Sequence, residues 1–409
     1  MRPEGAPSKI DKGKEEFKRF EEELVEHHRG EMKRELAGKL EEMDRAAAEE
    51  LLKRGRYIDK GYVRRRVQTS LGRVWVKIKR LKRRGGSGSL YALFGQCGIS
   101  RVSERAQEHC VQVAVGQSYE MSRETLKQLS GMELSRMGIW KVVQSRGKKE
   151  RERVEEQRRK VFELGEMPRA EKPKKKAVVV EIDGTMVASR EVTEIEEVRG
   201  KRKMEVKLGV AFTGTKPVSR NRRRTQERMV YGDAAPAEEF GERWYGECLR
   251  HGIEPETDVH LIGDGAAWIR NLQRTIHPGS RYTLDAYHLR KAAGQVLTER
   301  QDKQFCSLVW RDRAPTKALE YVRRLQPSDG EHRLELHTFC LYLERNLDGM
   351  RYDRPGPVGS GVVEKAADIV VGRRMKRRGM SWSRQGANNL LALRVRSLNE
   401  AFDRRASAS

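Results

Sequence analysis

Two short apolar segments rich in β-branched residues constrain the fold of this chain more than any other feature. Residues 177–182 read AVVVEI and run into Asp183-Gly184, and residues 259–263 read VHLIG and run into Asp264-Gly265. Short runs of this kind are typical of buried β-strands. Each one ends in an aspartate beside a glycine, a residue that lets a partner approach the backbone closely.

Further periodic stretches surround these two strands. The pattern predicts additional strands at 203–213, 228–231 and 282–287, and helices at 237–252 and from 288 to about 346. The order strand, strand, strand, helix, strand, then more helix predicts an α/β domain with a mixed sheet.

A third acid, Glu364, lies in residues 359–367, which read GSGVVEKAA and lead into a helix. Two aspartates on neighbouring strands repel each other unless a cation lies between them. Sites with several carboxylate oxygens suit Mg²⁺ or Mn²⁺. Taken singly, an Asp-Gly is more often a strand-end turn, and Glu364 an acid favoured by a helix N-terminus. Their joint occurrence favours a metal site.

These motifs resemble those of a known class of enzyme, the bacterial insertion-sequence transposases with an RNase H-like core and an Asp-Asp-Glu triad. The similarity is greatest to the ISKra-type family and its Mutator-like relatives, and it covers about residues 120–396. The matching segments are Asp183-Gly184-Thr185, Gly263-Asp264-Gly265-Ala266, Asp285-Ala286-Tyr287-His288, the segment GSGVVE at 359–364 and the segment GRRMKRRGMSW at 372–382.

The resemblance implies DNA cleavage by water, followed by attack of the freed 3′-hydroxyl on target DNA. It implies two Mg²⁺ or Mn²⁺ ions, bridged by Asp183 and completed by Asp264 and Glu364. His288, with Asp285, would touch a scissile-strand phosphate or orient a ligand, and a packed histidine is an equal alternative. The 100 residues from Asp264 to Glu364 (364 − 264) imply a helical insertion, in agreement with the helical pattern there.

The charge of the chain indicates a polyanionic partner. Lys plus Arg total 85 and Asp plus Glu total 60, a formal net charge of +25 at pH 7. Nucleic acid is the commonest partner of so basic a protein. No apolar run is long enough to span a bilayer, and the N-terminus is polar. We therefore expect a cytoplasmic, nucleoid-associated protein without membrane contact. Five cysteines without C-x-x-C spacing predict neither a disulfide framework nor a zinc site.

The region before the acids has the composition of a DNA-binding region. Residues 14–55 predict a charged amphipathic helix or helix pair. Residues 53–84 hold fourteen Lys or Arg and one acid, and they alternate around Val74, Val76 and Ile78. This period predicts a strand with one apolar face and one basic, aromatic face carrying Lys77 and Lys79. Residues 85–89, GGSGS, have the composition of a flexible linker.

Residues 122–146 resemble a helix-turn-helix. Ser122 is a candidate cap for one helix, Gly131 lies at the turn, and Ser135 is a candidate cap for a second helix carrying Arg136 and Lys141. Such a pair can insert into a major groove. A purely structural helical hairpin is an equally good interpretation.

Two further basic segments favour contact with the DNA backbone over solvated charge. The first is an arginine-rich loop at 220–224, and the second follows Glu364 on the same helix. The residues selected from them are Arg222, Arg223, Arg373, Arg374 and Arg377. Trp382 fits a core position better than a base-stacking one.

The predicted organisation is a mainly helical basic DNA-binding region followed by an α/β, RNase H-like catalytic domain. The catalytic domain holds the helical insertion, and its partner is double-stranded DNA at the terminal inverted repeats and the target, bound as a homo-oligomer. Rival interpretations are a DNA-binding regulator, a metal-dependent nuclease without strand transfer, and a structural protein. The predicted boundaries are 1–52 for the charged helical region, 53–150 for the DNA-binding region, 151–176 for a charged linker, 177–288 with 347–399 for the catalytic domain, and 289–346 for the insertion.

Overall fold

A computed structural model describes residues 9–191, 202–220, 222–353 and 356–407. The chain forms two compact units, Met1–Val143 (unit 1) and Gln144–Ser409 (unit 2). The predicted mixed α/β architecture is confirmed, since helices surround a five-stranded mixed sheet in unit 2.

Unit 1 is built on a long helix and a β-hairpin. The hairpin strands are antiparallel, and the second alternates as predicted, so Val74, Val76 and Ile78 are buried while Trp75 and Lys77 are exposed. The elements of unit 1 are α1 (Lys9–Lys53), β1 (Tyr57–Thr69), β2 (Gly72–Arg83), β3 (Ser89–Tyr91), α2 (Ala92–Gly95), α3 (Glu104–Ala114), α4 (Tyr119–Ser130) and the start of α5 (Arg136–Phe162).

A buried carboxylate fastens α1 to the sheet of unit 1. Asp44 is fully buried, and its two oxygens accept hydrogen bonds from the backbone N–H groups of Lys79 and Leu93 at 2.6 and 2.9 Å. Burial raises the pKa of this carboxyl, and the two backbone donors oppose that rise. The C-terminal half of α1 is therefore a structural helix.

Two sequence interpretations in unit 1 are wrong in detail. The segment at 85–89, predicted as a flexible linker, is instead the connection between the antiparallel strands β2 and β3, in which Lys82 pairs with Ser89. The helix predicted to begin at Ser122 begins at Tyr119, where Ser118 accepts the bond from Met121 N–H. The chain turns at Gly131, as predicted, in the left-handed conformation that favours glycine.

The sheet of unit 2 has the strand order β10-β9-β4-β5-β8. The strands β4, β5 and β8 are antiparallel neighbours, whereas β9 runs parallel to β4 and β10 parallel to β9. The strand bounds are β4 (Ala177–Ala188), β5 (Lys203–Phe212), β6 (Gly214–Ser219), β7 (Arg222–Gln226), β8 (Met229–Asp233), β9 (Asp258–Gly263) and β10 (Arg281–Leu284).

The edge strand β8 is covered by the C-terminal helix rather than left open. Asn399 accepts from Val230 N–H and donates to Val230 C=O, both at 2.9 Å, and Asn388 accepts from Ala234 N–H. These amides satisfy backbone groups that would otherwise offer a template to another strand.

Helices occupy most of residues 286–349, as the apolar periodicity predicts. A π-helical segment, Ser307–Arg311, continues α9, and another, Asp368–Gly372, continues α12. The helices of unit 2 after α5 are α6 (Ala237–Arg250), α7 (Ala267–Ile276), α8 (Ala286–Val296), α9 (Glu299–Cys306), α10 (Pro315–Arg323), α11 (Gly330–Arg345), α12 (Gly361–Ala367), α13 (Arg373–Met375) and α14 (Arg384–Ser407).

The prediction of an arginine-rich loop at 220–224 is also wrong in part. Residues from Arg222 onward form β7, which pairs with β6 in a hairpin, so they are not a loop. The side chain of Arg222 lies outside the described residues. The side chain of Arg223 donates to the hydroxyl and carbonyl oxygens of Thr215 at 2.8 and 3.0 Å, bonds that brace the hairpin.

Candidate catalytic site and nucleic-acid interface

The two aspartates lie side by side in the sheet of unit 2. Ile182 pairs with Gly263 across the parallel strands β4 and β9, and each aspartate is the next residue. Neighbouring strands are about 4.8 Å apart, so the two half-buried side chains leave the sheet from adjacent positions. Asp264 follows the last residue of β9, whereas β4 continues through Asp183 to Ala188.

The pKa of Asp183 is affected by the negative charges of both other acids. Burial, assisted by the negative charges of Asp264 and Glu364, raises the pKa of this carboxyl to about 6. The Gly184 N–H, which donates to Asp183 at 2.7 Å, and nearby His288 act in the opposite direction. A carboxylate held against two others is a site that attracts a cation.

Glu364 is the most exposed of the three acids and lies on α12. Among the described residues, the only His, Cys, Asp or Glu group whose potential ligand atoms all lie within 4.8 Å of one another is His27, His28 and Glu31 on α1. The three acids of unit 2 therefore form a more open arrangement than a single compact ligand cage.

Sequence reasoning missed Glu181, two residues before Asp183 on the same face of β4. This side chain is 1% exposed, and its Oε2 accepts hydrogen bonds from the N–H groups of Val362 and Val363, both at 2.8 Å. Burial raises its pKa to about 7, which the two backbone donors oppose and the charges of Asp285 and Glu364 assist. A charged residue inside an otherwise apolar strand was the available signal.

Glu181 thereby ties β4 to the first turn of α12, whose N–H groups have no partner within the helix. The same turn carries Glu364. Asp183 and Glu364 are thus positioned by one connection between strand and helix.

Asp285 and His288 form a second connection to the same turn. Asp285 caps α8 by accepting from His288 N–H at 2.9 Å, and it also accepts from the N–H and hydroxyl of Ser360 at 2.5 and 2.7 Å. These donors hold its pKa well below the usual range despite burial. The ring Nδ1 of His288 lies 3.3 Å from Asp285, which raises the pKa of His288, and Asp264 and Asp183 raise it further.

The helical insertion buttresses the turn after Asp264. The hydroxyl of Tyr342 on α11 donates to the carbonyl of Asp264 at 2.8 Å, and Asn346 donates to that of Gly265 at 3.1 Å. Gly265 has φ +88°, and a Cβ there would lie 2.5 Å from the Tyr342 ring. Only glycine fits this turn without displacing the insertion.

The basic segment after Glu364 divides into exposed and buried residues. Arg373 and Arg377 are exposed, and Arg373 lies 3.1 Å from Asp368. Arg374 is too buried to contact DNA, since it is 1% exposed and its guanidinium lies over the ring of the buried Trp382. The predicted core position of Trp382 is confirmed.

Lys376, which sequence reasoning did not select, reaches the acids. Its ammonium donates to the hydroxyl of Thr185, two residues beyond Asp183 on the same strand face. Burial lowers the pKa of Lys376, and the charge of Asp183 opposes that shift. The site therefore places a cation beside its acids.

The predicted basic residues of unit 1 differ in their surroundings. Lys77, Arg136 and Lys141 are exposed. Lys79 is half-buried and lies 2.8 Å from Asp59, so its charge is matched.

A groove of about 700 Å³ in unit 1 is lined by residues that sequence reasoning did not select. These include Arg64, Arg66, Arg73, Arg101 and Trp75, with the turn before α5 completing the wall. Arginines spread over two strands and a loop give no local sequence motif beyond their abundance.

No described helix is long and apolar enough to cross a membrane.

Fold and site together define an α/β protein with a half-buried carboxylate cluster on a mixed sheet and a separate basic unit. The chain belongs to the family described as Uncharacterised protein family (UPF0236), which it matches over residues 12–408. Two UPF0236 proteins of Caldanaerobacter subterraneus subsp. tengcongensis are each 26% identical to it over 148 residues. The match covers 34% of this chain and 31% and 29% of those relatives, so it spans about a third of their length.

Proposed function

We propose that this protein is a DDE-type transposase that cleaves and joins DNA with divalent metal ions. One observation carries the proposal, namely that Asp183 and Asp264 follow paired residues on adjacent parallel strands. The carboxyl of Asp183 responds to the charges of both Asp264 and Glu364, although the three lie far apart in the chain. Clustered carboxylates with perturbed pKa values are concentrated at functional sites.

The sheet supports an RNase H-like fold for unit 2. Three antiparallel strands, β4, β5 and β8, are followed by β9 and β10, which extend the sheet in parallel on the other side of β4. This order and direction of strands is what we expect for an RNase H-like core. The first acid lies on its central strand and the second on the adjoining one, with a helical insertion before the third.

The donor set fits Mg²⁺ or Mn²⁺, because it consists of carboxylate oxygens alone. Two ions in such sites lie about 3.5–4 Å apart, and Asp183, Asp264 and Glu364 are the residues that would hold them. The open arrangement of the three acids agrees with a site for two ions. Bound ions would activate the attacking hydroxyl and stabilise the leaving oxygen.

The protein's own residues position the nucleic acid around these acids. His288, whose pKa is raised by Asp285, would hold a proton and donate to a phosphate oxygen of the scissile strand. Lys376 would offer a second positive charge on the side of Thr185. Glu181 and Asp285 hold the first turn of α12 and do not contact DNA.

The partner is double-stranded DNA, in keeping with the net charge of +25. Exposed basic residues on both units supply the sequence-independent part of that binding. We propose a homo-oligomer on the element ends, in association with the nucleoid.

The test is incubation of the full chain with DNA carrying the ends of its own element, in Mg²⁺, Mn²⁺ or Ca²⁺. Nicked and joined strands are separated on denaturing gels. We expect both products with Mg²⁺ or Mn²⁺ and neither after Asp183→Ala. Nicks without joined products would indicate a nuclease without strand transfer, and binding without either product would indicate a DNA-binding regulator.

A further inference from the structure

The outer face of the β1–β2 ribbon carries two exposed aromatic rings. Trp75 is 50% exposed and Tyr62 is 47% exposed. Each lies on the face opposite the apolar one that packs toward α1, as the alternation of β2 shows. Leaving two large rings in water is unfavourable unless something else covers them.

Cations flank both rings. The guanidinium of Arg64 lies 5.7 Å from the centre of the Trp75 ring, and the ammonium groups of Lys77 and Lys79 lie 5.1 and 5.5 Å from Tyr62. In the register of the hairpin, Trp75 pairs with Arg66 and Tyr62 with Lys79. The face therefore alternates between rings and positive charge.

Acidic groups neutralise only part of this surface. Asp59 pairs with Lys79, and Glu133 pairs with Arg73 at 2.9 Å. Within the described part of the chain, no carboxylate forms a salt bridge with Arg64, Arg66 or Lys77. The charge of the face is complementary to a phosphate backbone rather than to a neutral or basic protein surface.

Exposed aromatic rings next to cations without acidic partners suit an unpaired nucleic-acid strand. The bases of such a strand can stack on the rings, and its phosphates can pair with the cations. In a duplex the faces of the bases are stacked on one another, and a protein reaches only base edges and phosphates. Tyr62 and Trp75 are separated by about four residue steps along the ribbon, roughly 13 Å at 3.3 Å per residue. One short strand can therefore cover both rings.

We infer that the outer face of the β1–β2 ribbon binds single-stranded DNA, with bases stacked on Trp75 and Tyr62 and phosphates against Arg64, Arg66 and Lys77. This goes beyond the proposed function, since it depends on unit 1 alone and holds whether or not unit 2 cleaves DNA.

The experiment compares the affinity of the full chain for labelled oligodeoxythymidine and for a duplex of equal length, by fluorescence anisotropy. Trp75→Ala should weaken binding of the single strand about tenfold and leave duplex binding unchanged. Trp75→Phe should restore most of the loss because a ring remains. Phe20→Ala, which removes an exposed ring on α1, is the matched control and should affect neither DNA.

Salt dependence separates stacking from charge. Trp75→Ala should keep the salt slope of single-strand binding, whereas Lys77→Ala should reduce it, since only lysine displaces counterions. Equal losses on single strand and duplex after Trp75→Ala would place the ribbon in a duplex groove and overturn the inference. No loss on either DNA would overturn it as well.

A second measurement does not depend on the folding of any variant. A strand containing 5-iododeoxyuridine is crosslinked to the wild-type protein by light, and the joined peptide is identified by mass spectrometry. We expect crosslinks at Trp75 or Tyr62. Crosslinks confined to other segments would contradict the inference.

Discussion

The sheet of unit 1 and the five-stranded sheet of unit 2 handle charge in opposite ways. The ribbon of unit 1 carries its cations on an open face in water, where a charge costs little and attracts phosphate at long range. In the sheet of unit 2, Asp183 is half-buried and Glu181 is fully buried, and burial raises their pKa values to about 6 and about 7. An open basic face suits the DNA binding proposed above, whereas acids on adjacent strands suit the proposed metal-dependent reaction.

The largest expected effect is on DNA cleavage. Asp264→Ala should slow it by about a thousandfold or more, since metal-ion stabilisation is worth several kcal/mol and each 1.36 kcal/mol is tenfold. Asp258→Ala removes an exposed acid from the other end of the same strand and serves as the control. DNA binding should be unchanged or improved in both. Equal cleavage rates for Asp264→Ala and Asp258→Ala would contradict the view that the acids of the unit 2 sheet serve the reaction.

A second comparison, between a proposed metal ligand and a nearby exposed acid, uses α12 and the π-helical segment that continues it. Glu364→Ala should abolish cleavage, whereas Asp368→Ala, one turn further along and also exposed, should not. Both changes remove one negative charge from the same side of the molecule. Equal effects of the two on the gel assay would mean that Glu364 acts only through its general charge.

Glu181→Ala should lower the stability of unit 2. It leaves the buried N–H groups of Val362 and Val363 without their acceptor, which costs about 1–3 kcal/mol. Glu181→Gln keeps an acceptor oxygen and should lose less. Urea unfolding followed by circular dichroism measures both. Equal stability of the two variants would show that the strand–helix connection is not made by these hydrogen bonds.

The raised pKa of Asp183 predicts a pH dependence of the metal-free protein. Its folded-state pKa of about 6 exceeds the ordinary value of 3.8, so the folded state binds more protons between these limits. The free energy of unfolding should therefore fall as pH rises from about 4 to 6, by about 2 kcal/mol at most. Asp183→Asn should remove that part of the slope. An identical slope in wild type and variant would show that the pKa of Asp183 is not raised in the folded state.

The smallest expected effect is on the open face of unit 1. Arg66→Ala should weaken single-strand binding uniformly across sequences and reduce the salt slope by about one, because it removes a phosphate contact. Titrations at several salt concentrations measure this slope. A sequence-specific loss would instead place Arg66 against base edges.

The sequence predicts most of what local pattern determines. The strands around Asp183 and Asp264, the helix carrying Glu364 and the two-faced strand β2 follow from apolar periodicity. Residues 85–89 could not be assigned in this way, because a glycine-serine composition serves a hairpin turn as well as a linker.

Features that depend on distant backbone were beyond sequence reasoning. Glu181 acquires its role only because N–H groups some 180 residues later lie beside it. Arg374 looks like its neighbours in the basic run, and only the packing of Trp382 shows that it is buried. Local pattern alone does not pair the two aspartates either, because strands β5 to β8 lie between β4 and β9 in the chain.

The most direct test of the central claim, that these half-buried acids form a divalent-cation site, is Mn²⁺ binding measured by electron paramagnetic resonance. The full wild-type chain should bind Mn²⁺ at pH 7, with loss of binding in Asp183→Asn and retention in Asp258→Asn. Unchanged Mn²⁺ binding by Asp183→Asn, or its loss only when His27 and His28 on α1 are replaced, would contradict the account.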